Sequence, residues 1–190
     1  FFSLNLNATQ NESLLFDAKI YLFSALICFL IGELTKNYSQ IDKIWSIIPI
    51  VYVWYFTVQS DFDLRMVLMS TLVSLWGVRL TLNFARRGGY SIYFWRGDED
   101  YRWKILREKT PWLKPQLNWS LFNLFFICFY QMGLIFLFTL PILAAWTGGN
   151  EINFFDYLIS FLMLLFIILE TISDQQQYNF QTSKYEKIKS

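Results

Sequence analysis

LWGVRLTLNFARRGGYSIYFWRGDEDYRW, residues 75–103, decides how the rest of the chain is read. It opens as the end of an apolar segment that carries an arginine, crosses a glycine pair, and closes in a dense mixture of aromatics, arginines and acids. An ionisable side chain inside a membrane-length apolar run is costly and calls for a partner. With 64–84 helical, Arg79, Asn83, Arg86 and Arg87 fall at i, i+4, i+7 and i+8, one polar stripe at the helix end. Two readings stand side by side. Arg86 and Arg87 reach a headgroup layer, or the stripe, with the deeper Arg79, is held by acids from other helices.

The composition agrees with a membrane setting. The 190 residues are 55% hydrophobic and 21% aromatic, with a net charge of +1. The charges are unevenly placed and leave apolar runs of membrane-spanning length. The expected fold is therefore all-α: a polytopic transmembrane helical bundle of about five transmembrane helices with a basic surface loop. Histidine is absent, which removes imidazole acid-base chemistry, His-based metal sites and the Ser-His-Asp and Cys-His nucleophile systems. Cys28 and Cys128 each lie in mid-segment, far from any CxxC spacing, and read as packing residues. Gly88 and Gly89 form a lone pair without dinucleotide or P-loop spacing and read as a turn. No metal and no nucleic-acid partner is expected.

Taken in order, residues 1–17 read as a polar N-terminal tail without a signal-peptide pattern. Residues 18–180 read as the transmembrane domain, with spans at 18–34, 44–58, 64–84, 119–146 and 152–173. Residues 181–190 read as a polar C-terminal tail. The 44–58 span is short and has Pro49 near its start, where a missing N–H is tolerated. Within the long loop, 99–108 is expected as a short amphipathic surface helix, with Tyr101, Trp103 and Ile105 supplying apolar contact and Pro111 and Pro115 stopping it. Pro141 suggests a kink or early end of the fourth span, and Gly148 and Gly149 a turn.

Charge then sets topology. Five spans put the 35–43 connection, the long loop and the C-terminal tail on one side, with Lys36, Lys43, eight cations in the loop, Lys184, Lys187 and Lys189. The opposite side has little more than Lys19 and Arg65. The basic side is expected to be cytoplasmic, or the matrix side in a mitochondrion. Glu33, Asp42, Arg79, Asn83, Glu170 and Asp174 all fall near the basic-side ends of their spans. A buried polar cluster of Asp42, Arg79, Asn83, Glu170 and Asp174, with the carboxylates facing Arg79, is expected.

Four motifs occur in order: Asn37, Ser39, Asp42 and Trp45; Leu75 to Leu80; Glu99, Asp100, Arg102 and Trp103; and Glu170, Asp174 and Gln176. Together they resemble the membrane reductases of the steroid 5-alpha-reductase type, in particular a branch of uncharacterised relatives. The resemblance implies an all-helical membrane fold that holds NADPH at its cytoplasmic side and delivers hydride to an enone or related lipid double bond. It further implies Asp174, Glu170, Arg79 and Arg102 as lining residues of the nucleotide pocket, arginines suiting phosphates and carboxylates suiting ribose hydroxyls. Members of that family carry a later R-H-P-N-Y-type element that completes the cofactor site, and the sequence contains none.

The expectation is accordingly a catalytically inactive relative with a vestigial cofactor site and no catalytic residue. Its role would be that of an accessory subunit among other membrane-protein subunits, in the mitochondrial inner membrane and its respiratory chain. Phospholipids, cardiolipin included, are expected partners, with Arg86, Arg87 and Arg96 on headgroups. The alternative is an NADPH-dependent reductase of a steroid or other lipid double bond whose C-terminal module lies outside this sequence, for example in the endoplasmic reticulum.

Overall fold

Asn7 and Gln10 start the first helix by capping each other: Asn7 Oδ1 accepts from the Gln10 backbone N–H at 2.8 Å, and Gln10 Oε1 accepts from that of Asn7 at 3.0 Å. In this computed structural model, which describes residues 6–93, 95–148 and 151–189, α1 runs Ala8–Thr35. Most of the stretch expected as a tail is thus helical; residues 1–5 of it lie outside the described residues. Gln10, Ser13 and Asp17 are buried along one face of α1, so polar residues on its inner side mask the helix in a hydropathy reading.

Lys36 closes α1 in the left-handed region (φ 56°), and the chain turns into a one-turn helix, α2 (Gln40–Ile44). Next comes α3 (Ile48–Gln59), with Pro49 in its first turn. Its 12 residues rise about 18 Å, well short of the roughly 30 Å hydrocarbon core. Among the described residues, four helical segments are long and apolar enough to cross a membrane: α1, α4 (Leu64–Arg86), the run 116–147, and most of α9 (Phe154–Lys189). The fifth expected span, 44–58, corresponds to the shorter apolar helix α3. The all-α bundle and the integral-membrane character stand.

Asp63 caps α4 through the backbone N–H groups of Arg65 and Met66. Between α4 and the 46–57 stretch, which is α3 and the turn before it, runs a seam of hydroxyls: Ser46 with Thr81 at 2.8 Å, Thr57 with Ser70 at 2.6 Å, and Trp54 Nε1–H donating to Ser74 at 2.8 Å. Lipid is as apolar as leucine, so small residues and such hydrogen bonds hold helices together in it. Gly77 lets the backbones close: a Cβ there would stand 2.5 Å from the Ser46 carbonyl oxygen.

In the long loop, α5 (Tyr101–Lys109) is capped by Asp100. Trp103 turns into the core rather than toward the membrane surface, while Tyr101 and Ile105 are exposed. Pro111 opens a single 3-10 turn, 111–113, before α6 (Gln116–Phe122). A π-helical stretch, Asn123–Tyr130, follows, then α7 (Gln131–Thr139) and α8 (Pro141–Thr147). Pro141 starts α8 and does not end the run. Gly149 of the expected turn lies outside the described residues. The last helix, α9, takes in residues 181–189 of the expected C-terminal tail and packs against α4, while residue 190 lies outside the described residues. Cys28 and Cys128 are free and buried in the main core cluster, with Tyr38, Tyr52, Trp103 and Trp119.

Candidate functional site

The polar stripe of α4 faces α9, where Glu170 and Asp174 stand one turn apart on one face. Arg79 Nη1–H donates to Asp174 Oδ2 at 2.8 Å, and Nη2 lies 3.0 Å from Glu170 Oε2. The Arg79 side chain is 13% exposed, that of Asp174 27% and that of Glu170 52%, so Asp174 is the inner partner. Arg87 adds a longer contact to Asp174, 3.9 Å. Two turns beyond Arg79, Arg86 donates from Nε to Asn83 and from Nη1 to Gln175, both at 2.8 Å, and lies over the Tyr178 ring. A cleft of about 380 Å³ between the two helices is lined by Arg79, Asn83, Arg86, Asp174 and Gln175, with leucines and a valine of α4.

Asp42 is not part of this group. The turn after α1 carries it under the long loop, where Ser39, Trp103, Asp100 and Arg102 are its polar and charged neighbours. Burial raises its carboxyl above the ordinary range, opposed by the Ser39 hydroxyl and the Arg102 charge, and one oxygen is without a partner among the described residues. Arg102, which the resemblance implies as a lining residue of the nucleotide pocket, binds Asp100: Nε–H donates to both carboxylate oxygens at 2.9 and 2.8 Å, and Nη2 binds Oδ2 as well. Those hydrogen bonds, first among the causes, hold the Asp100 carboxyl below its usual range. Arg96 lies over the Tyr93 ring, and its carbonyl accepts from Lys43 Nζ at 2.8 Å.

The first and third motifs form a clamp. Asn37 Nδ2–H donates to the Gly97 carbonyl, the Tyr38 N–H to Glu99 Oε1 at 2.7 Å, and the Asp100 N–H to Ser39 Oγ at 2.9 Å. Gln40 binds the Trp95 carbonyl, and Tyr90 O–H donates to the Lys43 carbonyl at 2.6 Å. The glycines serve this fit: Gly97 has φ +119° with the Gly89 carbonyl 2.7 Å from where its Cβ would be.

Glu33 is a hub that sequence reasoning placed near the same leaflet without giving it a role. It accepts from Ser120 Oγ at 2.9 Å, Asn123 Nδ2 at 3.0 Å and Gln116 Nε2 at 3.2 Å, tying α1 to α6 and the π-helical stretch. A lone acid in an apolar run was its signal. Lys43, fully buried, gave no such signal, since it reads as an ordinary loop lysine.

Chemically, the α4–α9 site is an ion-paired clamp with amide groups at its mouth. A phosphate approaching Arg79 meets two carboxylates already on that guanidinium, so these residues as arranged do not fit the phosphates of a dinucleotide.

Residues 28–189 match a family described as protein of unknown function (DUF1295). An uncharacterized protein of Schizosaccharomyces pombe is 31% identical over 200 residues, an alignment covering 92% of this chain and 56% of that protein. The chain therefore spans little more than half the length of this curated relative. No solved structure matches it.

Proposed function

Because the chain belongs to the DUF1295 family of proteins of unknown function, we propose that it is a steroid 5-alpha-reductase-like membrane protein whose nucleotide-side residues have become a structural clamp. On this reading it is a non-catalytic accessory subunit of a membrane complex, with the mitochondrial inner membrane and its respiratory chain as the proposed setting. One observation carries the reading: Glu170 and Asp174, the acids that the family resemblance points to, both bind Arg79, the arginine it points to. A charge pair of this kind satisfies buried groups and locks α9 to α4 without a ligand. The apolar flank of α9, where Phe155, Ile159, Phe161 and Phe166 are all exposed, supplies surface for neighbouring subunits or lipid.

The test is isolation of the full chain from native membranes in a mild detergent, with native-gel mass profiling and NADPH titration. Co-migration with an assembly far heavier than the 22.8 kDa chain, without saturable NADPH binding, is expected. A free chain that binds NADPH saturably overturns the proposal.

The second reading is an NADPH-dependent reductase of a CH–CH double bond in a steroid or other lipid, with the α4–α9 cleft of about 380 Å³ as the space beside Arg79. It requires Arg79 to exchange a carboxylate for phosphate. Consumption of NADPH with an enone lipid, abolished in Arg79→Gln, would establish it.

A further inference from the structure

A second cleft, of about 480 Å³, opens at the same end of the bundle where the end of α1, α5 and the start of α6 meet, away from the α4–α9 pair. Lys36, Lys104, Arg107 and Lys114 line it, with Tyr38, Trp103 and Trp119 as the aromatic part of its wall. Two carboxylates share the lining. Glu99 is engaged by the Tyr38 backbone N–H, and Glu108 is exposed. The lining holds four cations and two acids, and Lys36 also lies 3.6 Å from Glu33 of α1, so the balance is positive by one charge once that acid is counted. Neither Lys104 nor Lys114 has a carboxylate at ion-pair distance among the described residues.

Arg107 is planted: Nη2–H donates to Gln116 Oε1 at 2.8 Å, and the guanidinium lies 5.2 Å over the Trp119 ring. Trp119 is 1% exposed, and its indole N–H has no acceptor among the described residues. A buried donor of this kind is ordinarily satisfied.

What leaves the cleft identifies the ligand. From Trp119 an aromatic ladder descends the 116–147 run: Trp119 to Phe122 at 5.6 Å, Phe122 stacked on Phe126 at 4.9 Å, and Phe126 stacked on Tyr130 at 5.3 Å. Phe126 and Tyr130 are exposed along a segment apolar enough to cross the membrane. A cationic cleft at the polar end of a membrane-length segment, continued by an apolar track of nearly three helical turns, matches an amphiphile with an anionic head.

We propose that this cleft binds an anionic phospholipid, its phosphate held by Lys104, Lys114, Arg107 and Lys36 and an acyl chain lying along Phe122, Phe126 and Tyr130. Arg86, Arg87 and Arg96, the arginines expected at headgroups, lie outside this cleft: Arg86 and Arg87 contact α9, and Arg96 lies over the Tyr93 ring. The inference does not depend on the accessory-subunit reading.

The full chain in non-ionic detergent is titrated with dioleoyl phosphatidylglycerol, dioleoyl phosphatidylcholine and inorganic phosphate, and bound lipid is counted by native mass spectrometry. Phosphatidylglycerol is expected to bind at least about tenfold more tightly than phosphatidylcholine, with the preference falling at high salt. Lys104→Gln/Lys114→Gln should remove that preference, Lys104→Arg/Lys114→Arg should keep it, and Phe126→Ala should weaken both lipids. Both lysines are exposed, so the double variant is expected to unfold at the parent temperature, which the same samples check. Equal binding of the two lipids, an unchanged preference in the glutamine variant, or displacement of the lipid by millimolar inorganic phosphate alone would overturn the assignment.

Discussion

Removing one carboxylate from Arg79 at a time separates the inner partner from the outer one. In Asp174→Asn the side chain keeps its shape and one acceptor oxygen but loses its charge. The bond it weakens, 2.8 Å long between a 13%-exposed guanidinium and a 27%-exposed carboxylate, is a charge-assisted hydrogen bond. Such bonds contribute about 1.5–3 kcal/mol, and the retained amide oxygen places the loss near the lower end, about 2 kcal/mol. Glu170→Gln acts on a 52%-exposed carboxylate, for which about 0–1 kcal/mol is the usual scale. For a chain of this size about 2 kcal/mol corresponds to roughly 4–8 °C in the unfolding midpoint, and the outer variant should shift it by less than about 4 °C. The assay is thermal unfolding of the full chain in lipid nanodiscs, repeated in an Arg79→Gln background. There the effect of Asp174→Asn should shrink to a fraction of its value, because its partner is gone. A reversed ranking, or losses that simply add in the double variant, would refute the assignment of Asp174 as the inner partner of Arg79.

Gly77→Ala should lose about 1–3 kcal/mol in the same assay, because the new Cβ meets the Ser46 carbonyl at 2.5 Å. Gly133→Ala, whose nearest neighbour is the Tyr21 hydroxyl at 3.5 Å, should be neutral or gain from helix propensity. Glu33→Ala leaves the buried Asn123 amide and the Ser120 hydroxyl without their acceptor, and about 3 kcal/mol should be lost, read as a lower midpoint. The pH dependence of the loop clamp should split by residue. Asp100, whose carboxyl is held low chiefly by Arg102, stabilises above the ordinary carboxylate range and loses that contribution as pH falls through its lowered value. Asp42, whose carboxyl is raised by burial, behaves oppositely: its contribution is present below the ordinary value and is lost as pH rises through the raised one. Asp42→Asn should therefore stabilise relative to the parent at pH 7 and not at pH 3, and Asp100→Asn should destabilise at pH 7, both followed by unfolding midpoints across pH.

The sequence located Arg79, Glu170 and Asp174 at comparable depth because each lies on a long helix, where rise per residue and the i, i+4 relation convert position into height and face. It misplaced Asp42, which like the loop residues it meets sits on a short element whose direction is set by turns. The left-handed Lys36, the positive φ of Gly88 and Gly97 and the Ser39–Asp100 bond decide where those side chains go. The N-terminal boundary was missed for a related reason: the capping box at Asn7 and Gln10 starts a helix whose first turns bury polar residues. A hydropathy run therefore begins late.

Composition and the length of apolar runs, which are local quantities, determined that this is an all-α integral membrane protein with its cations gathered at one end. Tertiary structure alone decided that, of the acids expected around Arg79, Glu170 and Asp174 bind it and Asp42 does not. It alone decided that the 37–43 connection clamps the 95–103 loop and that Glu33 fastens α1 to α6. Each of these joins residues about 60 or more positions apart, and what specifies them is the packing of backbones and the pairing of buried polar groups, which no window along the chain contains.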